Sequence, residues 1–121
     1  MARSLSIGDI ILVDLPSNQP PGREQEGRRP AIVVGLPIEP IRYPILLIAP
    51  ITTAIGNWVD SNPLMYPKLM RRTAGLTQNS VVLLDQIRSL DPHRLVTYFG
   101  SLTNEQYQPI SEGIKALLRV Q

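Results

Sequence analysis

The chain has 121 residues, of which 43% are hydrophobic and 18% are charged, as expected for a single globular domain over residues 1–121 rather than for a disordered segment. It contains no cysteine and one histidine, so disulfides, thiolate metal sites and histidine metal clusters are excluded, and the sequence predicts no metal and no cofactor. A net charge of +2 neither requires nor excludes a nucleic-acid partner.

No stretch of the sequence has the character of a membrane span or a secretory signal. The longest apolar run, Ile45–Ile51, contains Pro50 and is far shorter than a bilayer-crossing helix. The segment Met1–Gly8 is too short and too polar for a signal peptide. We therefore expect a soluble, cytoplasmic protein with no membrane partner.

Short runs rich in Ile, Val and Leu predict β-strands over most of the chain. In chain order the runs are Asp9–Leu15, Ala31–Leu36, Ile45–Ala49, Ser80–Leu84 and Val96–Ser101. Gln86–Leu90 either extends the fourth strand or forms its own, and Leu64–Tyr66 is a candidate for a short additional strand. Because the runs are continuous rather than alternating, we expect strands buried on both faces, as in a small barrel or a sheet wrapped by loops.

Two long segments separate these strands. Pro16–Arg28 is made of turn-forming and charged residues, and Thr53–Asn79 carries Trp58 and the basic cluster Lys68–Arg72. Connections of this length inside a compact domain are usually functional or disordered. An exposed basic cluster either guides a nucleic-acid backbone or is simply solvated.

A helical pattern appears only at the C-terminal end of the chain. Apolar residues recur there at three- and four-residue steps and form one stripe, at Tyr107, Ile110, Ile114, Leu117 and Leu118. Thr103 and Gln106 have the spacing of a capping box. Because Pro109 and Gly113 interrupt the pattern, we expect the regular helix to begin nearer Pro109. The predicted fold class is mainly β with a C-terminal helix (α+β).

The side chains left for chemistry are arginines, carboxylates and hydroxyls on loops and strand ends. Such groups can cleave RNA without a metal, because the ribose 2′-OH is itself the nucleophile. The reaction needs a base near that hydroxyl, a cation beside the phosphate and a donor for the departing 5′ oxygen. Arginine suits the second role because its planar fork binds two phosphate oxygens. The junction Gly22–Pro30 supplies carboxylates, an amide and three guanidiniums.

Five segments, taken in order, resemble the MazF/PemK (Kid-like) family of toxin endoribonucleases. They are Gly8–Ile10, Val13–Asp14, Glu24–Pro30, Ala49–Thr53 and Ser80–Arg88, and they span nearly the whole chain. The resemblance implies a small SH3-like antiparallel barrel of the MazF/CcdB type, assembled as a homodimer. It also implies metal-independent cleavage of single-stranded RNA at short motifs. A cognate antitoxin of the same type II toxin–antitoxin system would neutralise the enzyme.

The resemblance implies catalytic roles for Arg29, Thr52 and Glu24. Arg29 matches the family arginine that precedes a proline, stabilises the phosphate and assists proton transfer; otherwise it is a surface arginine paired with Glu24 or Glu26. Thr52 matches a hydroxyl that contacts the phosphate or ribose; otherwise it hydrogen-bonds locally in a strand. Glu24 matches a proposed base; otherwise it is a solvated loop carboxylate.

Asp85 matches a catalytic acid of the Kid-like branch, although Leu83 stands where that branch has an arginine. The alternative is that Asp85 pairs with Arg88 or caps a turn. Positions 23 and 28 are arginines where some relatives carry histidine, so a mechanism that requires an imidazole at either place does not fit this chain.

The remaining residues implied by the resemblance are RNA contacts rather than catalytic groups. They are Gln25, Arg28, Thr53, Gln86, Arg88 and Trp58. Arg88 is a candidate phosphate contact. Trp58 either stacks on an unpaired base or pins the long loop to the rest of the domain.

Two rival functions share parts of this pattern. A toxin of the CcdB type has the same fold but acts by binding a protein, through a Trp-Gly-Ile-like C-terminus, whereas this chain ends Leu117–Gln121. The second rival is a non-catalytic relative that binds RNA or another protein and has lost its catalytic residues. Glu24, Arg29 and Thr52 are all present, which favours the nuclease.

Overall fold

A computed structural model describes residues 4–120, which form a mainly antiparallel sheet, curved into a half-barrel, and a C-terminal helix. The strands are β1 Asp9–Leu15, β2 Gly27–Gly35, β3 Leu46–Thr52, β4 Lys68–Leu69, β5 Ser80–Val82, β6 Arg88–Leu90 and β7 Leu95–Ser101. The helices are α1 Asn57–Ser61 and α2 Asn104–Leu118, and 3₁₀ turns cover Thr73–Gly75, Leu84–Gln86 and Pro92–Arg94. The strand order is β4-β5-β3-β2-β1-β7, and β6 also pairs with β3. The predicted fold class is confirmed.

The central strands β1, β2 and β3 send alternate side chains into two apolar clusters. One cluster contains Ile10, Ile32, Ala49 and Ile51, together with Leu84 and with Ile110 of α2. The other contains Ile11, Val13, Ala31, Val33 and Ile48, together with Leu90 of β6. Since both faces of these strands are covered, neither face needs polar residues, which explains the continuous apolar runs in the sequence.

Strand β2 begins earlier than the apolar run that predicts it. The sequence predicts a start at Ala31, whereas the strand starts at Gly27. Arg28 lies opposite Asp14 of β1, and Arg29 lies opposite Val13. The ladder with β1 therefore extends the strand through charged residues that apolar patterning cannot detect.

The segment before β5 differs from the prediction, whereas the segment after it follows one of the two predicted alternatives. The predicted short strand at Leu64–Tyr66 is wrong: the strand in this region is β4, which pairs with β5 through Lys68 and Leu69. Gln86–Leu90 does not extend the preceding strand. Its last three residues form β6, because the chain turns at Leu84–Gln86 and then pairs with the first half of β3.

This arrangement gives β3 two different neighbours along one edge. Leu46 and Ile48 pair with β6, whereas Ile51 and Thr52 pair with β5. The turn that joins β5 to β6 must therefore lie beside the second half of β3, between the positions of Ile48 and Ile51. Asp85 and Gln86 belong to that turn. The topology thus brings them near Thr52.

Helix α2 begins at Asn104 and not near Pro109, so the predicted start is wrong. The capping box is formed: the Thr103 hydroxyl accepts from the Gln106 N–H at 3.1 Å, and the Gln106 side chain accepts from the Thr103 N–H at 2.9 Å. These bonds stabilise the first turn, so Pro109 lies inside the helix. Gly113 is buried beside Leu84.

The Gly8–Asp9 pair has a structural role at the start of β1. Gly8 adopts φ +96°, a left-handed value that favours glycine. Asp9 is buried, and its carboxylate accepts from the Ser6 N–H at 2.8 Å and from the Ser101 hydroxyl at 2.6 Å. These bonds fix the start of β1 against the end of β7.

Candidate functional site

A cleft of about 400 Å³ lies beside the end of β3 and receives side chains from several distant segments. It is lined by Arg23, Gln25, Thr52, Ala54, Trp58, Tyr66, Leu83, Asp85 and Gln86. We call it the aromatic cleft. It brings together five of the residues that the sequence marks as candidates, namely Gln25, Thr52, Trp58, Asp85 and Gln86.

A second cleft, of about 700 Å³, lies between the β1–β2 loop and the turn before β6. We call it the loop cleft; its lining includes residues 16–22 with Glu24, Asp85, Gln86, Ile87 and Arg88. Asp85 and Gln86 line both clefts, so the two spaces adjoin at that turn. The Glu24 carboxylate folds back over Gly22, where a larger side chain would collide with it.

Thr52 lines the aromatic cleft and is only 8% exposed. Its Oγ1 accepts a hydrogen bond from the Ala54 N–H at 3.1 Å. A hydroxyl that accepts in this way keeps its own proton available for donation. The local hydrogen bond and a contact with a phosphate oxygen are therefore compatible roles.

Asp85 is held by a tyrosine that sequence analysis does not identify. The Tyr66 hydroxyl donates to Asp85 Oδ2 at 2.7 Å, across nineteen positions in the sequence. This hydrogen bond is the main reason that the pKa of Tyr66 is raised above its ordinary value. Tyr66 therefore remains a protonated donor at neutral pH. Asp85 neither pairs with Arg88 nor caps the turn Leu84–Gln86 through its side chain, so both of those alternatives are wrong.

Trp58 both packs on its loop and lines the aromatic cleft. Its ring meets that of Tyr66 edge-on, with centroids 4.8 Å apart and an interplanar angle of 83°. The side chain remains 40% exposed. Packing on the loop and stacking on a base are therefore compatible roles for Trp58, because its ring contacts Tyr66 while the residue stays partly exposed.

Arg29 lies on β2, next to β3, but does not line either cleft. Its Nε donates to the main-chain carbonyl of Glu26 at 2.9 Å, rather than to a carboxylate. Ala31 lies opposite Pro50 in the ladder between β2 and β3. Arg29 and Thr52 are each two residues from that pair, so they project from the same face of the sheet.

Two predicted RNA contacts lie away from both clefts. Arg28 forms an ion pair with Asp14 at 3.2 Å, and it projects from the face opposite to Arg29 because neighbouring residues alternate. Thr53 lines a separate pocket of about 350 Å³ whose walls include Pro30 and Phe99. The structure therefore places these two residues, like Arg29, outside both clefts.

Gln86 and Arg88 contact the β1–β2 loop through its main chain. Gln86 Oε1 accepts from the Gln25 N–H at 2.7 Å, and Gln86 Nε2 donates to the Arg23 carbonyl at 3.4 Å. Arg88 Nη1 donates to the Gln25 carbonyl at 3.3 Å. These bonds bring Glu24 and Gln25 to the two clefts.

Residues 4–120 contain no cluster of three or more histidine, aspartate or glutamate side chains that could hold a metal ion. In the same part of the chain, no helix is long and apolar enough to cross a membrane. The groups that line the two clefts are guanidinium, carboxylate, amide, hydroxyl and aromatic side chains. This is the set of groups from which a cleft can bind and polarise a phosphodiester.

Residues 6–118 match the model of a protein family described as PemK-like, MazF-like toxin of type II toxin-antitoxin system. The endoribonuclease MazF of Staphylococcus saprophyticus is 29% identical over 107 residues, which cover 88% of this chain and 85% of that protein. The endoribonuclease EndoA of Bacillus subtilis is 29% identical over 111 residues, which cover 92% of this chain and 91% of that protein.

Solved structures with the same fold include MazF from Deinococcus radiodurans, with a TM-score of 0.72 at 20% identity over 98% of this chain and 99% of that one. A mycobacterial endoribonuclease solved with its cognate antitoxin has a TM-score of 0.72 at 15% identity, over 98% of both chains. These similarities confirm the predicted MazF-type barrel. Because the family match runs through nearly all of the sequence, this chain belongs to the PemK-like, MazF-like toxins of type II toxin–antitoxin systems.

Proposed function

We propose that this chain is a toxin endoribonuclease that cleaves single-stranded RNA without a metal, and that a cognate antitoxin protein neutralises it. The observation that carries the proposal is the convergence of Gln25, Thr52, Trp58, Asp85 and Gln86 on the aromatic cleft. The names of the relatives from S. saprophyticus and B. subtilis support an RNA substrate. The mycobacterial complex supports an antitoxin as partner.

In the proposed reaction the ribose 2′-oxygen attacks the adjacent phosphorus. The 2′-O–P bond forms as the P–O5′ bond breaks, and the products carry a 2′,3′-cyclic phosphate and a 5′-OH. The carboxylates of Glu24 and Asp85 are the candidates for the base that takes the 2′-OH proton, since both line the loop cleft.

Arg29 and Thr52 serve the phosphate in this mechanism. The Arg29 guanidinium offsets the charge that grows on the phosphate oxygens and assists transfer of a proton to the departing 5′ oxygen. The Thr52 hydroxyl donates to a phosphate or ribose oxygen. Their position on one face of the sheet, at the facing ends of β2 and β3, supports joint action on a single phosphodiester.

RNA binding uses the exposed part of the Trp58 ring, on which a base can stack. Gln25 lines the same aromatic cleft as Trp58. Arg28 and Thr53 are more distant contacts, which serve nucleotides on either side of the cleaved bond. An RNA strand that passes the end of β3 meets both the aromatic cleft and the pocket beside Thr53.

The test is cleavage of a single-stranded RNA by the purified protein in excess EDTA. We expect cleavage to continue, with products that end in 2′,3′-cyclic phosphate and begin with 5′-OH. An RNA of the same sequence with 2′-O-methyl groups is the control and should stay intact, because the nucleophile is blocked. Loss of activity in EDTA that returns with magnesium, or products with a plain 3′-OH, would contradict the mechanism.

A further inference from the structure

The side-chain amide of Gln86 binds the β1–β2 loop on both sides of Glu24. Its oxygen accepts from the N–H of Gln25, and its nitrogen donates to the carbonyl of Arg23. Both functional groups of the amide are therefore engaged with main chain. The Gln86 side chain thus supplies one acceptor and one donor to the main chain of the loop, as the backbone of a neighbouring strand would.

Arg88 completes the attachment of Gln25. Its guanidinium donates to the Gln25 carbonyl, so the main-chain donor and the main-chain acceptor of this residue are both bound. Arg88 belongs to β6, which pairs with β3 through Ile48. The loop is thus fastened to the central sheet by residues more than sixty positions away. We call Gln86 and Arg88 the loop clamp.

The side-chain oxygen of Gln25, in contrast, has no hydrogen-bond donor within residues 4–120. Its Oε1 is buried and accepts no hydrogen bond from the described residues. A buried acceptor without a donor is costly, so the Gln25 side chain gains free energy when it turns toward a ligand that supplies a donor. Gln25 and Trp58 both line the aromatic cleft. An amide offers one acceptor and two donor hydrogens, which complement the edge of a nucleobase.

We propose that Gln86 and Arg88 are positioning residues, and that the residue they hold in place for base recognition is Gln25. The base stacks against Trp58 and pairs its edge with the Gln25 amide. This inference rests on the proposed RNA substrate. It assigns Gln86 and Arg88 to the loop rather than to direct contact with RNA.

The first experiment measures, in the absence of RNA, how well the loop clamp protects the β1–β2 loop from a protease. Native protein is treated briefly with trypsin, and cleavage after Arg23 is followed by mass spectrometry. We expect Gln86→Met to be cut about ten-fold faster than wild type, because two hydrogen bonds that close the loop are lost. Gln86→Glu should be intermediate, since it can still accept from Gln25 but cannot donate to Arg23. Gln108→Met, an exposed amide on α2, is the matched control.

Gln25→Met should be cut at the wild-type rate in this assay, because Gln25 takes part in the clamp only through its main chain. An unchanged cleavage rate in both Gln86 variants would overturn the positioning role. Circular dichroism on each variant separates loop opening from unfolding of the domain. The result does not depend on nuclease activity, so it stands even if the protein cleaves no RNA.

The second experiment measures base recognition by binding. Short 2′-fluoro oligonucleotides of each base lack the nucleophile, and their binding is followed through Trp58, the only tryptophan in the chain. We expect unequal affinities in the wild type and a loss of about ten-fold in that discrimination in Gln25→Met. Gln86→Met should keep the same ranking of bases with smaller differences in affinity between them, because Gln25 is still present but is no longer held in place. A Gln25→Met protein with wild-type discrimination, or a Gln86→Met protein with a new ranking, would overturn the proposal.

Discussion

At the scale of single residues, the important feature of Arg29 is how its side chain is anchored. Nε is bound to the Glu26 carbonyl, while the Nη groups make no hydrogen bond to the described residues. One bond thus fixes the direction of the guanidinium and leaves its outer edge available for phosphate oxygens. Such preorganised donors lower a barrier most when they face charge that develops during the reaction.

Arg29→Ala should therefore fold normally and lose a factor of about 10²–10³ in the rate of RNA cleavage. Arg29→Lys should recover only part of that loss, because an ammonium cannot make the paired contact. Single-turnover cleavage and thermal unfolding are the two measurements. Arg94→Ala, which removes an exposed arginine in the turn before β7, is the control. Wild-type cleavage by a folded Arg29→Ala protein would exclude this role.

At the scale of elements, α2 packs against the turn that carries Asp85. Ile110 lies in the same apolar cluster as Leu84, the first residue of that turn. At Gly113, α2 lies very close to the residues before and within that turn. A methyl group at this position would collide with the Leu84 side chain and the Leu64 carbonyl. Glycine is therefore required for packing at a position where the helix itself would favour alanine.

Gly113→Ala makes these two effects compete. Helix propensity favours alanine by about 0.8–1.0 kcal/mol, whereas overpacking against a backbone carbonyl costs about 1–3 kcal/mol. We expect a net loss in the free energy of unfolding, measured by urea denaturation. Gln108→Ala on the exposed face of the same helix should stay within about 0.5 kcal/mol of wild type. A more stable Gly113→Ala protein would show that α2 does not pack this closely.

At the scale of the whole molecule, one outer strand of the sheet leaves apolar surface exposed. β7 lies at the end of the strand order, with β1 as its only neighbour in the sheet of the described residues. Val96 and Phe99 on this strand are 39% and 36% exposed. Exposed apolar side chains on an edge strand favour association with another chain. This agrees with the homodimer that the family resemblance implies.

We expect the chain to be a homodimer in solution. Light scattering at micromolar concentration should give twice the chain mass of 13.5 kDa. A dilution series provides the control, because a specific dimer dissociates at a defined concentration whereas non-specific aggregates give a broad range of masses. A mass near that of one chain at all concentrations would contradict the prediction.

The sequence by itself determined the features that depend on neighbouring residues. Asp9–Leu15 is predicted at its observed bounds because one continuous apolar run is sufficient to mark a buried strand. The capping box is readable because its two members are three residues apart. The ordered motifs identify the family, since each motif occupies a short stretch of sequence.

Only the tertiary structure decided which distant residues meet. Tyr66 lies in a loop without periodicity, and nothing local marks it as the partner of Asp85. The clamp of Gln86 on the loop depends on the register by which β5 and β6 share the edge of β3. Registers follow from packing of the whole sheet, and so do the true start of β2 and the close approach at Gly113. Composition and spacing specify elements, whereas the contacts between elements depend on how all of them pack together.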